Sequence, residues 1–508
     1  MTATDPILSD PILSDPTYRD WASLRTGFTF PSDLLINGAW VPGSTRMPVT
    51  SPVDGSIIGE VASADANDVD RAVHAARVAF EDGRWSGLSP VQRKDILIRW
   101  SQLCDERRDD LALAHALEMG KPAREARAVD MRAVINTLRW FGEAIDKILD
   151  EIPNVPADAL AMITREPAGV VGAVVPWNFP LTMAAWKLAP ALAAGCTVVL
   201  KPAEESPISA LLLAQLGMEA GLPDGVLNVV NGPGEITGQA LGRHPDVDVL
   251  TFTGSTAVGR MFMEYSAASN LKRVWLELGG KGANVIFPDA NLDKAASTAA
   301  WSIFYNAGQM CSAGSRLLVH ESVHDEVVQK VLDVASTMQP TNPLDNAAPL
   351  GAVVSRQHRD RIHSMVEAGV AESGAVVTGA SPVLEETGGS YYPPTVIDGV
   401  RPDSLLAQQE LFGPVLAVTT FANEREALEL ANSTPYGLAS AVWTSDLNRA
   451  HRFSRGMKMG VVWVNCYEEG DLTVPFGGVK QSGFGRDKSL HALEKFFDIK
   501  TTWIDLSE

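Results

Sequence analysis

Cysteine is scarce in this chain of 508 residues: only Cys104, Cys196, Cys311 and Cys466. They stand far apart, in no CxxC pair and at no metal-ligand spacing. That argues against a disulfide framework and a zinc site, and no metal is expected. The same scarcity suits a reducing cytosol, so a cytoplasmic protein is expected. No apolar run reaches the roughly eighteen residues of a membrane helix, and the start lacks the basic and apolar blocks of a signal peptide. Positive charge is short as well: 42 Lys and Arg against 62 Asp and Glu leave a net −20. Nucleic acid and anionic membranes are therefore poor partners.

What is present is enough apolar material, 45% of residues, for a large core and two or three domains. Asp5-Pro6, Asp10-Pro11 and Asp15-Pro16 disfavour helix, so residues 1–30 read as a mobile tail. From 169 to about 256 a clear rhythm begins. Strand-like runs at 169–176, 197–200, 226–230 and 247–253 alternate with helical stretches at 181–194, 207–220 and 235–241. This alternation implies parallel strands with right-handed crossovers, a doubly wound α/β domain that binds ligands at the carboxyl ends of its strands. A second α/β block follows Gly280, with strands expected at 284–287, 316–319, 415–421 and 460–464. Extended pieces at 160–165 and 500–504 are candidates to pair with each other.

Four short stretches carry the chemistry. Tyr305-Asn306-Ala307-Gly308-Gln309-Met310-Cys311-Ser312-Ala313-Gly314 sets one thiol among small and polar residues, which leaves the sulfur accessible to a carbonyl. An inert structural cysteine is the competing account. Gly254-Ser255-Thr256-Ala257-Val258-Gly259 follows a strand and opens a helix, so glycine can let pyrophosphate approach the helix N-terminus, although any strand–turn–helix also favours glycine there. Lys201-Pro202-Ala203-Glu204 lies just past another strand, where a carboxylate can take both hydroxyls of a ribose and repel a 2′-phosphate. The last is Glu277-Leu278-Gly279-Gly280-Lys281, whose acid has apolar neighbours.

With Pro176-Trp177-Asn178-Phe179-Pro180, these stretches resemble the aldehyde dehydrogenase superfamily in order and spacing across almost the whole chain. The resemblance implies an α/β fold with a Rossmann-type dinucleotide-binding domain, a second α/β catalytic domain and a small β arm for oligomerisation. The boundaries expected are 31–144 and 166–276 for the first, 277–480 for the second, and 145–165 with 481–508 for the arm. It implies a homodimer or homotetramer. It also implies NAD-dependent oxidation of an aldehyde to the free acid, NAD being favoured over NADP by Glu204. Cys311 matches the family's nucleophile, Asn178 its oxyanion donor, Glu277 its deacylating base, and Lys187 a buried auxiliary lysine. Pro176, Trp177, Lys201, Glu204, Gly254, Ser255, Gly259, Gly279, Glu410 and Phe412 match the cofactor positions, the last two within Gln409-Glu410-Leu411-Phe412-Gly413-Pro414.

For the substrate, Phe179, Met183, Trp186, Met310, Ser312 and Phe476 match tunnel-lining positions, with a core stripe as the rival account of the first three. Glu468, Glu469 and Asp471, joined by Glu118 and Asp130 near the mouth, would attract a cationic aldehyde; a solvated acidic loop is the plainer account. The run from Val474 through Lys495 resembles bacterial gamma-glutamyl-gamma-aminobutyraldehyde dehydrogenases of putrescine breakdown, apart from Val479 and Phe484. An aminoaldehyde is thus the expected substrate. The alternatives are a broad-range oxidiser of neutral aldehydes and a catalytically silent relative of the same fold.

Overall fold

The computed structural model describes residues 19–507. The Asp-Pro repeat lies outside the described residues. From residue 19 the expected mobile tail is instead docked. Trp21–Thr26 forms a helix capped by Asp20, Trp21 is buried, and its Nε1 donates to Asn346 Oδ1 at 3.2 Å. Burying one tryptophan is worth about 2–3 kcal/mol, which offsets the ordering of a short segment.

Eight strands form the first sheet, in the order Gly483–Phe484, Arg273–Leu278, Val249–Gly254, Val170–Val174, Thr197–Lys201, Leu227–Val229, Leu34–Ile36, Ala39–Val41. The five from Arg273–Leu278 to Leu227–Val229 are parallel. Val170–Val174 is buried at every position, as a strand covered by helices on both faces must be. The strand order reverses beside it: the next two strands lie on one side, and Val249–Gly254 with Arg273–Leu278 on the other. That reversal opens a crevice at the carboxyl ends, where such sheets take ligands.

The second sheet has seven strands, in the order Ala375–Thr378, Thr395–Asp398, Val415–Phe421, Arg316–His320, Ala283–Ile286, Ala439–Trp443, Val461–Val464. Its interior strand Ala439–Trp443 is not legible in the sequence, because Ala439-Ser440-Ala441 shows neither alternation nor a branched apolar run. Arg273–Leu278 is not legible either: the short apolar run Val274-Trp275-Leu276 suits a strand or a buried helix turn equally. Phe497–Asp505 pairs antiparallel with Ala159–Pro167 over its whole length, as the two extended pieces suggested. It does so only after Gly483–Phe484 has bonded to the edge of the first sheet at Leu276 and Glu277. Among the described residues, no helix is long and apolar enough to cross a membrane.

Candidate active site

Cys311 follows three consecutive left-handed residues, Asn306 (φ 53°), Ala307 (φ 53°) and Gly308 (φ 69°). Two of them are not glycine, a backbone strain of about 1–3 kcal/mol each that the surroundings must hold. A closed amide network does so. Asn306 Nδ2 donates to the carbonyls of Asn178 and Gln309, both at 3.2 Å, while Gln309 Nε2 donates to Asn306 O at 3.1 Å and Gln309 Oε1 accepts Val354 N–H at 2.8 Å. Asn178 Nδ2 donates to Gln309 O at 3.0 Å, which uses one of its two hydrogens and fixes the direction of the other. Tyr467 Oη donates to Ser312 O at 2.7 Å from the far side. Gly280 must be glycine, since a Cβ there would collide with the Cys311 carbonyl. The residue is half-buried. Burial raises its pKa most, the carboxylates of Glu468, Glu410 and Glu277 add to that, and the Ser312 N–H works against them.

Glu277 lies near the end of Arg273–Leu278 and shares the cavity with Cys311. Among the described residues neither carboxyl oxygen has a hydrogen-bond partner, and burial, reinforced by the Asp487 carboxylate, pushes its pKa well up against the pull of Lys187, Lys495 and Arg486. Next to it Lys187 Nζ pairs with Asp487 Oδ2 at 2.5 Å, and Lys495 pairs with the other oxygen. Burial opposes ionisation of Asp487, but the two ammoniums outweigh it and hold that carboxyl low. Lys187 is among the residues the resemblance implies, whereas its pairing with Asp487 has no signal in the sequence beyond the presence of Asp487 and Lys495 in the matched C-terminal run.

Three loops at the carboxyl ends of adjacent parallel strands gather the expected cofactor residues. After Val170–Val174 come Pro176 and Trp177; Trp177 meets Phe412 and His358 edge-on, with ring centroids 5.4 and 5.2 Å apart. Phe412 holds a left-handed backbone (φ 60°), and His358, absent from the sequence-based assignment, bonds its carbonyl through Nε2 at 2.8 Å. At the end of Thr197–Lys201, Lys201 Nζ lies 3.4 Å from Glu204 Oε2, and Glu204 Oε1 accepts Gly234 N–H at 2.5 Å. Past Val249–Gly254, Ser255 caps the helix Thr256–Ala267, and a Cβ on Gly259 would press on Leu278. Glu410 Oε1 accepts Gly280 N–H at 2.8 Å and occupies the space a Cβ on Gly279 would need; burial lifts its pKa to about 7. A helix N-terminus, two carboxylates and an aromatic wall suit the pyrophosphate, two riboses and flat ring of a dinucleotide.

Cys311 and Glu277 both line a cavity of about 210 Å³. Phe179, Met183, Trp186, Met310, Ser312, Phe476, Glu468 and Glu469 line it, together with Trp463 and Lys488. Met183 and Trp186 project from the helix Pro180–Ala194, which starts on a proline and stops at left-handed Gly195. The stripe is therefore both core and wall. Three of the expected mouth acids lie elsewhere. Asp471 is exposed and bonds the Thr473 N–H and hydroxyl at 2.7 and 2.5 Å. Asp130 is buried and paired with Lys121 at 2.6 Å, whose ammonium sits 4.8 Å from the Phe179 ring centroid and 4.6 Å from that of Tyr305. With no exposure, a carboxylate has to be paired, so Asp130 adds no free negative field.

Glu118 is buried too. It accepts the N–H groups of Ile208 and Ser209 at the start of the helix Pro207–Glu219, where Ser206 supplies no side-chain cap. Burial lifts its pKa to about 8 against those two donors. Glu118→Ala is expected to lower unfolding free energy by about 2–4 kcal/mol in urea melts, since two buried donors lose their acceptor. A change under about 0.5 kcal/mol would return Glu118 to the status of an idle acid.

The aldehyde dehydrogenase family profile matches residues 40–502. The NADP/NAD-dependent aldehyde dehydrogenase PuuC of Escherichia coli is 47% identical over 489 residues, covering 96% of this chain and 98% of its own. A gamma-glutamyl-gamma-aminobutyraldehyde dehydrogenase from Burkholderia cenocepacia superposes with a TM-score of 0.94 at 50% identity, over 96% of this chain and 99% of that one. The P. syringae AldA indole-3-acetaldehyde dehydrogenase, solved with NAD+, gives 0.95 at 48% identity over the same shares.

Proposed function

Because the chain belongs to the aldehyde dehydrogenase family, we propose that it oxidises an aldehyde bearing a nitrogen-containing end to the free carboxylic acid, with NAD as electron acceptor. The observation that carries this reading is one cavity lined by both Cys311 and Glu277, the latter without a hydrogen-bond partner among the described residues. Cys311 Sγ adds to the carbonyl to give a thiohemiacetal. The free hydrogen of the Asn178 amide and the Cys311 N–H are the donors for its oxyanion. NAD, held by the loops that carry Lys201, Glu204, Ser255 and Glu410, would supply the hydride acceptor, and loss of the hydride would leave a thioester on Cys311. Glu277, whose pKa burial pushes well up, removes in its ionised form a proton from the water that releases the acid. Lys187 and Asp487 pack a paired charge behind Glu277 and tune it.

Glu469 on the cavity wall favours an amine at the far end of the substrate. Phe179, Trp186, Trp463 and Phe476 favour a second reading, a neutral apolar aldehyde. The test is reduction of NAD, and separately of NADP, with 4-aminobutyraldehyde, its gamma-glutamyl conjugate, 4-guanidinobutyraldehyde and hexanal. Nitrogen-bearing aldehydes are expected to lead in kcat/KM by about tenfold, or 1.4 kcal/mol, with NAD the better acceptor. Equal use of hexanal would make the broad oxidiser the better description. Equal use of NADP would show that Lys201 offsets the repulsion from Glu204.

A further inference from the structure

Asp487 holds two ammoniums at once. Lys187 Nζ meets its Oδ2 at 2.5 Å, and Lys495 Nζ donates to Oδ1. Lys187 comes from the helix Pro180–Ala194 and Lys495 from the short helix Leu490–Phe496, with Asp487 on the loop between that helix and the edge strand Gly483–Phe484. All three side chains are buried. One ammonium suffices to neutralise one carboxylate, so the second is a surplus charge. Burying it uncompensated is costly. Burial accordingly works to discharge Lys495, and the acids that keep it charged are Asp487 first and Glu277 after it.

The surplus therefore points at Glu277. Asp487 lines the same cavity as Glu277 and Cys311, and its backbone is locked to the wall residue Phe476 by reciprocal N–H···O bonds of 2.7 and 2.8 Å. Among the described residues no hydrogen bond stabilises the ionised form of Glu277. The charged groups that act on it are Asp487, Lys187, Lys495 and Arg486, with the Cys311 thiol in the same cavity. Arg486 is half-buried and gives its guanidinium to the carbonyls of Gly478, at 2.9 Å, and Gly485. Glu494, on the same helix as Lys495, is exposed and meets His491 at 3.1 Å. Lys187 with Asp487 alone would be a neutral pair and would offer an ionised Glu277 no net compensation. With Lys495 the trio carries one positive charge, opposite in sign to that carboxylate.

Resting on the aldehyde-oxidising reading above, we propose that Lys495 is a positioning residue for the deacylating half of the reaction: acting through Asp487, it supplies the positive charge that lets Glu277 ionise and take a proton from water. The charge is the working property, and the bond to Asp487 holds it in place.

The experiment follows NADH formation from 4-aminobutyraldehyde and from hexanal as a function of pH, in the wild type, Lys495→Met, Lys495→Gln and Lys495→Arg. The burst of the first turnover measures competent enzyme in each preparation, because hydride leaves before Glu277 acts. In Lys495→Met and Lys495→Gln the burst is expected to persist. The rising limb of steady-state turnover should move up by about one pH unit, and the rate at neutral pH should fall about tenfold. Lys495→Arg keeps the charge and should keep the wild-type limb. A limb unmoved within about 0.3 unit in a neutral variant that gives a full burst overturns this inference alone. So does a limb that moves as far in Lys495→Arg as in Lys495→Met. Loss of burst and turnover together in both neutral variants would make Lys495 a purely structural residue and also overturn it. A wild type that forms no NADH with either aldehyde overturns the aldehyde-oxidising reading and this inference with it.

Discussion

Replacing Cys311 by alanine is expected to lower the rate of NADH formation by at least about 10^4-fold, with the fold and cofactor binding retained. Among the described residues no other thiol lines the cavity. Cys104 and Cys196 are buried away from it, with burial the main cause raising both thiols, Cys196 to about 12. Cys466 is half-buried but does not line the cavity. The resting Cys311 thiol is raised, by burial first and by Glu468, Glu410 and Glu277 next, so little thiolate exists at neutral pH. Its attack should therefore quicken as pH rises, which the rate of the first turnover in a stopped-flow measurement reports. Activity in Cys311→Ala within tenfold of wild type would remove the thiol from the mechanism. An intact protein that binds cofactor but never forms NADH would favour the catalytically silent relative.

Glu277→Gln should separate the two halves of the reaction. Hydride leaves before Glu277 is needed, so a burst of about one NADH per active site is expected, followed by turnover reduced about 10^2- to 10^3-fold. The pH dependence gives a second readout. Burial and the Asp487 carboxylate raise the Glu277 pKa, so the wild-type steady-state rate should climb with pH as the carboxyl ionises, at higher pH than for an ordinary glutamate. In Glu277→Gln that limb should flatten, while the pH dependence of the burst, set by Cys311, persists. A variant that loses burst and turnover together would mean that Glu277 shapes the site and does not activate water.

The motif residues close on one another because short-range rules already constrained them. Ser255 caps a helix on the strand–turn–helix pattern that the sequence displays, whereas the glycines at 279 and 280 answer to the Glu410 carboxylate and the Cys311 carbonyl, contacts that only folding makes. The parallel sheet was equally legible, since strands buried on both faces must be apolar throughout, as 170–174 and 197–201 are. Charge placement was not legible. Glu118, Asp130 and Asp471 look alike in sequence, yet one accepts two helix N–H groups, one neutralises a buried lysine and one caps an exposed turn.

The sequence by itself therefore determined the fold class, through local periodicity, while its resemblance to a family is what nominated Cys311, Glu277 and the loops for a dinucleotide. Only the tertiary structure decided the character of the cavity. It withdrew three of the five expected acids, paired Lys187 with Asp487 some 300 residues away, and set Lys495 on the same carboxylate. The physical reason is range: hydrophobic pattern and capping act between chain neighbours, whereas the burial, pairing or exposure of a charge depends on groups that only folding brings near.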